Sequence, residues 1–235
     1  MDIQTLNKLL AEGEIDTPGL FPHLEKLRQA SYIFDHDFGL NTLPTISGIL
    51  LIRGPRQYGK STWLEQAVYK TIREFGAGSA FYLNGDMIPD RNALEKAIQD
   101  LITAFPKLAS IRRIFIDEIT AIPHWELSLK RMSDQGLFNT VLIVTTGSKA
   151  TDLRRGSEKL PGRKGKLERS TYLFTPISYH EFHNKCAKTL GSTTWLTYLL
   201  SGGSPIACSA LASEGILPEY VIELTRDWIE GEIAC

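Results

Sequence analysis

The chain has 235 residues, enough for one full α/β domain with a small appendage and too few for two large domains. With 43% hydrophobic and 23% charged residues it has the balance of a globular protein, which excludes a disordered or fibrous chain. A formal net charge of −1 gives no global basic field for nucleic acid and leaves only local basic clusters open.

Residues 1–45 are expected to form an N-terminal helical segment. Leu6, Leu9 and Leu10 make one apolar stripe and Leu24 and Leu27 another, with Pro18-Gly19 and Pro22 between them. From 46 to 178, short apolar runs alternate with helical patterns. Gly48–Arg53, Ser79–Asn84, Arg113–Asp117, Thr140–Thr146 and the weaker Ser170–Phe174 suit strands apolar on both faces. Such strands belong to a parallel sheet covered by helices on each side. Between them Trp63, Leu64, Ala67, Val68, Ile72 and Phe75 keep one helical stripe, closed by Gly76. Leu94, Ala97, Ile98, Leu101 and Phe105 keep another, which stops at Pro106. This alternation argues a doubly wound α/β domain with right-handed crossovers. Beyond Pro176 the strand signal ends. Stretches 179–190, 193–200, 205–213 and 217–230 read as helices punctuated by Gly191, Gly202-Gly203 and Pro218, so 179–235 is expected to be a small helical lid subdomain.

The first strand runs into Gly54-Pro55-Arg56-Gln57-Tyr58-Gly59-Lys60-Ser61, which fits GxxxxGK[ST] between an apolar strand and an amphipathic helix. The two glycines allow consecutive N–H groups to turn inward around a phosphate. Lys60 brings positive charge to the β- and γ-phosphates, and the Ser61 hydroxyl suits Mg²⁺. The helix that starts near Lys60 and continues through Thr62 adds the positive end of its dipole. Gly54 to Thr62 is therefore the candidate nucleotide-binding segment, with ATP and Mg²⁺ as its ligands.

The third strand ends in Asp117-Glu118. A carboxylate at the tip of a strand beside the phosphate loop can hold Mg²⁺, which is the role expected of Asp117. Glu118, one residue further, is expected to orient and deprotonate an attacking water. The fourth strand ends in Thr145-Thr146-Gly147-Ser148, where the Thr146 and Ser148 hydroxyls are both candidates to bond a γ-phosphate or that water. Arg154, Arg155, Arg163, Lys164, Lys166 and Arg169 make 154–169 basic, and three readings stay open: an arginine reaching a γ-phosphate in this or a neighbouring subunit, a nucleic-acid contact, or a solvated loop. Arg163, after Pro161-Gly162, best fits the first.

His180-Glu181-Phe182-His183 lacks the HExxH spacing, and Trp125 reads as a packing residue. Cys186, Cys208 and Cys235 are far apart without CxxC spacing, so reduced thiols are the default. No signal-like N-terminus and no run of 18 apolar residues is present in the sequence, so no membrane contact and a cytoplasmic location are expected.

GPRQYGKS, IFIDEITAIPHWELSLKRM, TTGSKATDL, LPGRKG, TPISYHEF and LLSGGSPIA occur in that order over roughly residues 28–210. Together they resemble the AAA-type P-loop ATPases of archaea and bacteria with a GPRQxGK loop, many of which carry a C-terminal domain of unknown function. The resemblance implies an AAA/ASCE-like P-loop NTPase sheet with a C-terminal helical subdomain. It implies phosphate and Mg²⁺ binding by Lys60 and Ser61, metal and base roles for Asp117 and Glu118, a polar sensor at Ser148, and a Gly-Arg position at Arg163. Thr120 stands where the family often has Gln, which alters a polar contact. The chain stops at Cys235, near where the family's C-terminal portion usually begins, so an effector portion is expected outside it.

Hydrolysis of ATP is the leading expectation, favoured by the adjacent acids over phosphoryl transfer to a small molecule. ATP is preferred to GTP because no NKxD guanine-reading motif is present and because of the resemblance. A nucleotide-dependent switch with little turnover and a DNA-associated ATPase are the alternatives. A homo-oligomer or a protein partner is possible, and Ser31–Phe34 is a candidate wall for adenine.

Overall fold

Asp2 starts the first helix by accepting the backbone N–H groups of Gln4 and Thr5 on Oδ1, at 3.1 and 2.9 Å. That satisfies two of the donors every helix leaves open at its start. The structure is a computed structural model that describes residues 1–148, 165, 167–223, 226 and 230. Helices α1 (Ile3–Glu12) and α2 (Pro22–Arg28) precede the sheet. The central part runs β1 (Gly48–Arg53), α3 (Lys60–Phe75), β2 (Ala80–Asn84), α4 (Arg91–Ala104), β3 (Arg113–Asp117), α5 (Trp125–Asp134), β4 (Leu142–Gly147) and β5 (Thr171–Leu173). Helices α6 (Tyr179–Leu190), α7 (Thr194–Ser201) and α8 (Pro205–Glu214) follow, and residues 219–223 are helical as well.

The five strands form one sheet in the order β2-β3-β4-β1-β5, and every pairing is parallel. Each residue of β3 and β4 is buried, so both faces of the sheet are covered, as their uninterrupted apolar runs require. Ile49, Leu50, Ile52, Ile114, Phe115, Ile116, Ile143 and Val144 are fully buried, each stabilising the fold by about 1.5–3 kcal/mol before the entropy of ordering is counted. The order places β1 between β4 and β5 and puts β3 beside β4. The loops leaving β1, β3 and β4 therefore emerge at one end of neighbouring strands, where ligands sit in open parallel sheets.

The N-terminal helices are tied to this core by polar contacts. Asn7 of α1 completes the free edge of β2: its Oδ1 accepts Tyr82 N–H at 2.8 Å and its Nδ2 donates to Tyr82 O at 2.7 Å. The side chain thus acts as a short substitute strand. Glu65 of α3 holds α2, accepting Leu24 N–H at 3.0 Å and lying 2.6 Å from His23 Nδ1.

Two elements differ from expectation. Residues 125–134 form a helix the sequence reading omitted; Trp125, Leu129 and Met132 are buried at helical spacing. Its start is capped by His124 at φ 58° with no side-chain hydrogen bond, so no Ser, Thr, Asp or Asn announces it. The segment ahead of the sheet also behaves unexpectedly. Phe34 packs with Ile177, Phe182, Cys186, Cys208 and Ala212 into a second apolar cluster among the C-terminal helices.

Candidate functional site

The phosphate loop follows from β1 feeding directly into α3. Gly59 caps α3 at φ 96°, a left-handed conformation that a side chain resists, and the loop's Gln57 is also held at φ 60°. Gly54 is needed for a different reason: a Cβ there would sit 2.7 Å from the Phe174 carbonyl. Arg56 and Gln57 are exposed, Pro55, Tyr58, Gly59, Ser61 and Thr62 half-buried, and Lys60 buried. Lys60 Nζ turns back on the loop and donates to Gly54 O at 2.9 Å and Pro55 O at 2.7 Å. Burial pushes its pKa below the ordinary value, and the charges of Glu118 and Asp117 offset part of that.

Asp117 ends β3, buried at 6% exposure. Its Oδ1 accepts the Thr146 hydroxyl in a very short hydrogen bond, and its Oδ2 accepts the Tyr82 hydroxyl at 3.4 Å. Burial, then the Asp117 charge, pushes the Tyr82 phenol far above its ordinary pKa, so Tyr82 stays a donor. Glu118 lies just past the strand at φ 46°. Its N–H bonds Thr146 Oγ1 at 3.1 Å, and its Oε2 accepts both the N–H and the hydroxyl of Ser148 at 3.0 Å. Gly85, after β2, lets this turn pass: a Cβ there would collide with the Glu118 carbonyl.

The structure therefore brings Lys60, Asp117, Glu118, Thr146 and Ser148 to one end of the sheet. Thr146 is engaged with Asp117, and Ser148 with Glu118. Thr120 is buried. Trp125 is buried in the main core at 3% exposure, a packing residue. Arg163 and the basic residues Arg154, Arg155, Lys164 and Lys166 lie outside the described residues. Arg169 places its guanidinium 4.4 Å from the centre of the Tyr172 ring.

The Ser31–Phe34 segment lies against the C-terminal helices. Phe34 stacks on Phe182 with ring centroids 6.0 Å apart and is spent on packing. His36 is the residue that approaches the loop, its Nε2 3.4 Å from where a Gly59 Cβ would stand. Burial lowers its pKa, so the ring is held neutral. Sequence reasoning missed His36, Tyr82 and Gly85, none of which carries a local signal.

A metal fits the chemistry of the donors. Ser61 offers a hydroxyl and Asp117 a carboxylate, the hard oxygens that Mg²⁺ prefers. Among the described residues no cluster of three His, Cys, Asp or Glu side chains could hold a metal by itself. No helix of the described residues is long and apolar enough to cross a membrane.

Among solved structures, the Orc1 protein of Aeropyrum pernix, in complex with DNA, aligns with a TM-score of 0.47 at 14% identity, over 97% of this chain and 65% of its own. A RuvB mutant of Thermotoga maritima aligns with a TM-score of 0.49 at 14% identity, over 78% of this chain and 61% of its own. The uncharacterized protein MJ1544 of Methanocaldococcus jannaschii is 26% identical over 164 residues, which are 69% of this chain and 34% of that protein. The chain spans about a third of the length of that relative. A family model described as an AAA domain matches residues 47–183, more than half of the sequence, and the chain belongs to that family.

Proposed function

We propose that the chain binds ATP with Mg²⁺ on Gly54–Thr62 and hydrolyses it. The observation that carries this reading is the convergence of Lys60, Asp117, Glu118 and Ser148 at the ends of β1, β3 and β4. Backbone N–H groups of the loop and the Lys60 ammonium bind the phosphates. For that, Nζ exchanges the Gly54 and Pro55 carbonyls for phosphate oxygens, which as charged acceptors bind the ammonium more strongly. Ser61 and Asp117 hold Mg²⁺, which when bound neutralises charge on the β- and γ-oxygens. Glu118 accepts the proton of the attacking water once Oε2 leaves Ser148. Ser148 is then free to bond the γ-phosphate. Positioning and charge stabilisation supply most of the rate. The C-terminal helices act as a lid, and Arg163 is the candidate arginine for the γ-phosphate, in this or a neighbouring copy. The GPRQxGK loop supports placing the chain among the ATPases that share that motif. A cytoplasmic location follows the same reading.

Phosphate release from ATP and Mg²⁺ tests it. Turnover is expected in the wild type and lost in Lys60→Ala. Glu118→Gln is expected to keep ATP binding and lose roughly 10²–10⁴-fold in turnover. Normal turnover by Glu118→Gln would remove its role as base.

A second reading, a nucleotide switch with little turnover, is favoured by one observation. Lys60 and Glu118 are both satisfied by protein groups, so nucleotide binding must rearrange them. Tight ATP binding without phosphate release would select it. The DNA-associated alternative rests on the 154–169 basic stretch and is tested by salt-dependent DNA binding lost on neutralising Arg154 and Arg155.

A further inference from the structure

α7 is turned against its own chemistry. Its polar residues Thr194 and Ser201 are buried, while Trp195, Leu196, Leu199 and Leu200 are 52%, 60%, 54% and 62% exposed. The buried hydroxyls are satisfied locally. Thr194 donates to Gly191 O at 2.6 Å, and Ser201 donates to Tyr198 O at 2.7 Å and lies 3.2 Å from Cys208 Sγ. The hydrophobic effect favours the opposite orientation, so a stable helix that shows one face of Trp and Leu has an apolar surface that the described residues leave exposed.

That face does not stop at α7. A cavity of about 440 Å³ opens between Leu199 and Leu200 on one side and Leu217 and Ile222 on the other, with Tyr58 of the phosphate loop also lining it. Ile216, Tyr220 and Ile222 continue the exposed apolar surface beyond α8. Leu199, Leu200 and Ile222 are exposed and line one cavity, so their apolar surface is contiguous, and a contiguous exposed apolar patch marks a contact site. A strip of leucines along a helix bordering a groove has the form that receives the apolar face of another helix.

The charges around it choose the partner. Glu219 and Glu223 are exposed next to Tyr220 and Ile222 along the chain, and Glu230 and Arg226 line the cavity itself, so acids outnumber bases among these described residues. α7 carries no charged residue. A second copy laid on this face would bring the acidic rims together, and like charges there oppose pairing. A partner with basic flanks gains on both counts.

We propose that the groove between α7 and residues 217–223 is a docking site for an amphipathic helix of a partner protein. That helix presents leucine-type side chains on one face and lysine or arginine along its flanks.

The test uses the full chain and two labelled synthetic helical peptides with leucines at i, i+3, i+4 and i+7, one with lysine and one with glutamate at the remaining positions. Fluorescence anisotropy is expected to report binding of the Leu/Lys peptide that weakens with salt, and at least tenfold weaker binding of the Leu/Glu peptide. Leu199→Asn with Leu200→Asn should abolish binding without altering the circular dichroism, because both side chains are exposed. Glu219→Gln with Glu223→Gln should weaken binding of the Leu/Lys peptide severalfold. Absence of binding, or binding indifferent to Leu199→Asn and Leu200→Asn, would overturn the proposal. So would a dimer in sedimentation that the same two substitutions dissociate, since the face would then belong to a second copy.

Discussion

Thr146 illustrates how much one hydroxyl organises at this site. Its oxygen donates to Asp117 and accepts the Glu118 N–H, so it fixes the metal-ligand candidate and the base candidate relative to each other. Thr146→Val keeps the shape and removes both bonds. The net loss of about 1–2 kcal/mol in Asp117 positioning is expected to raise the Mg²⁺ concentration for half-maximal turnover by roughly 5–30-fold. Metal-free ATP binding should be unchanged, and titrating Mg²⁺ against phosphate release reads the difference. Ser148→Ala separates two roles for its hydroxyl. If Ser148 only holds Glu118, its N–H bond at 3.0 Å remains and turnover should change less than about tenfold. A hundredfold loss would instead mean that the hydroxyl acts on the γ-phosphate. The loop and the acidic pair were legible in the sequence because the atoms concerned are neighbours along the chain. Tyr82 was not, because it meets Asp117 from 35 residues away across two adjacent strands. Gly85 was not, because its need arises from the Glu118 carbonyl, which only the paired strands bring close.

The same distinction governs the elements. Apolar runs made β1 to β4 legible, since a strand buried on both faces carries few polar residues, while β5, with Thr171 half-buried and Leu173 exposed, gave the weaker signal. α5 was passed over although Trp125, Leu129 and Met132 carry its period and Gly136 closes it at φ 75°, because no capping side chain marks its start. The leucine stripes of α1 and α2 showed that both helices pack on the core, as Leu10 and Leu24 do, but their polar ties were hidden, since Asn7 and His23 would suit a solvated surface equally well. Asn7 is the stronger case. Asn7→Ala leaves the Tyr82 N–H and C=O without their partner at the sheet edge, and is expected to cost about 1–3 kcal/mol in chemical denaturation. The His23–Glu65 contact adds a pH dependence to α2. The hydrogen bond that His23 donates to Glu65, then the Glu65 charge, raises the His23 pKa above its ordinary 6.5, while partial burial opposes this. A raised folded-state pKa contributes stability that is full below the unfolded value and is lost as pH rises through the folded value. The stability advantage of the wild type over His23→Gln should therefore be present at pH 5.5 and disappear above neutrality. His23 is half exposed, so the effect is small, and thermal melts of both proteins across that range should reveal it. An advantage that grows with pH would contradict the pairing.

On the scale of the whole chain, the main core under the sheet and the cluster among α6, α7 and α8 are separate apolar bodies, and the second is small. Residues 32–35 bind the pre-sheet segment to it. Phe34 fills the cluster, Asp35 N–H donates to Glu181 Oε1 at 2.9 Å, and Tyr32 donates to Thr189 Oγ1 at 3.0 Å. The C-terminal helices therefore depend on a segment about 150 residues earlier, at the opposite side of the sheet in sequence. Composition could not reveal this, because Tyr32 and Phe34 look like any aromatic pair in a loop. His36 continues the same segment to Gly59, so the strap runs from the helices to the phosphate loop. Phe34→Ala removes a ring from a cluster with few other large side chains. Such truncations cost about 3–5 kcal/mol, and a cluster this small cannot collapse to recover much of it. If the C-terminal helices form their own cooperative unit, that loss stays local. Amides of α6 and α8 should then exchange faster by orders of magnitude in hydrogen exchange, while those of β1, β3 and β4 keep their protection. ATP affinity should fall as well, because the strap that carries His36 to the loop loses its anchor. Equal loosening of β1 and β4 would mean instead that sheet and helices unfold as one unit and that the strap carries no separate control over the site.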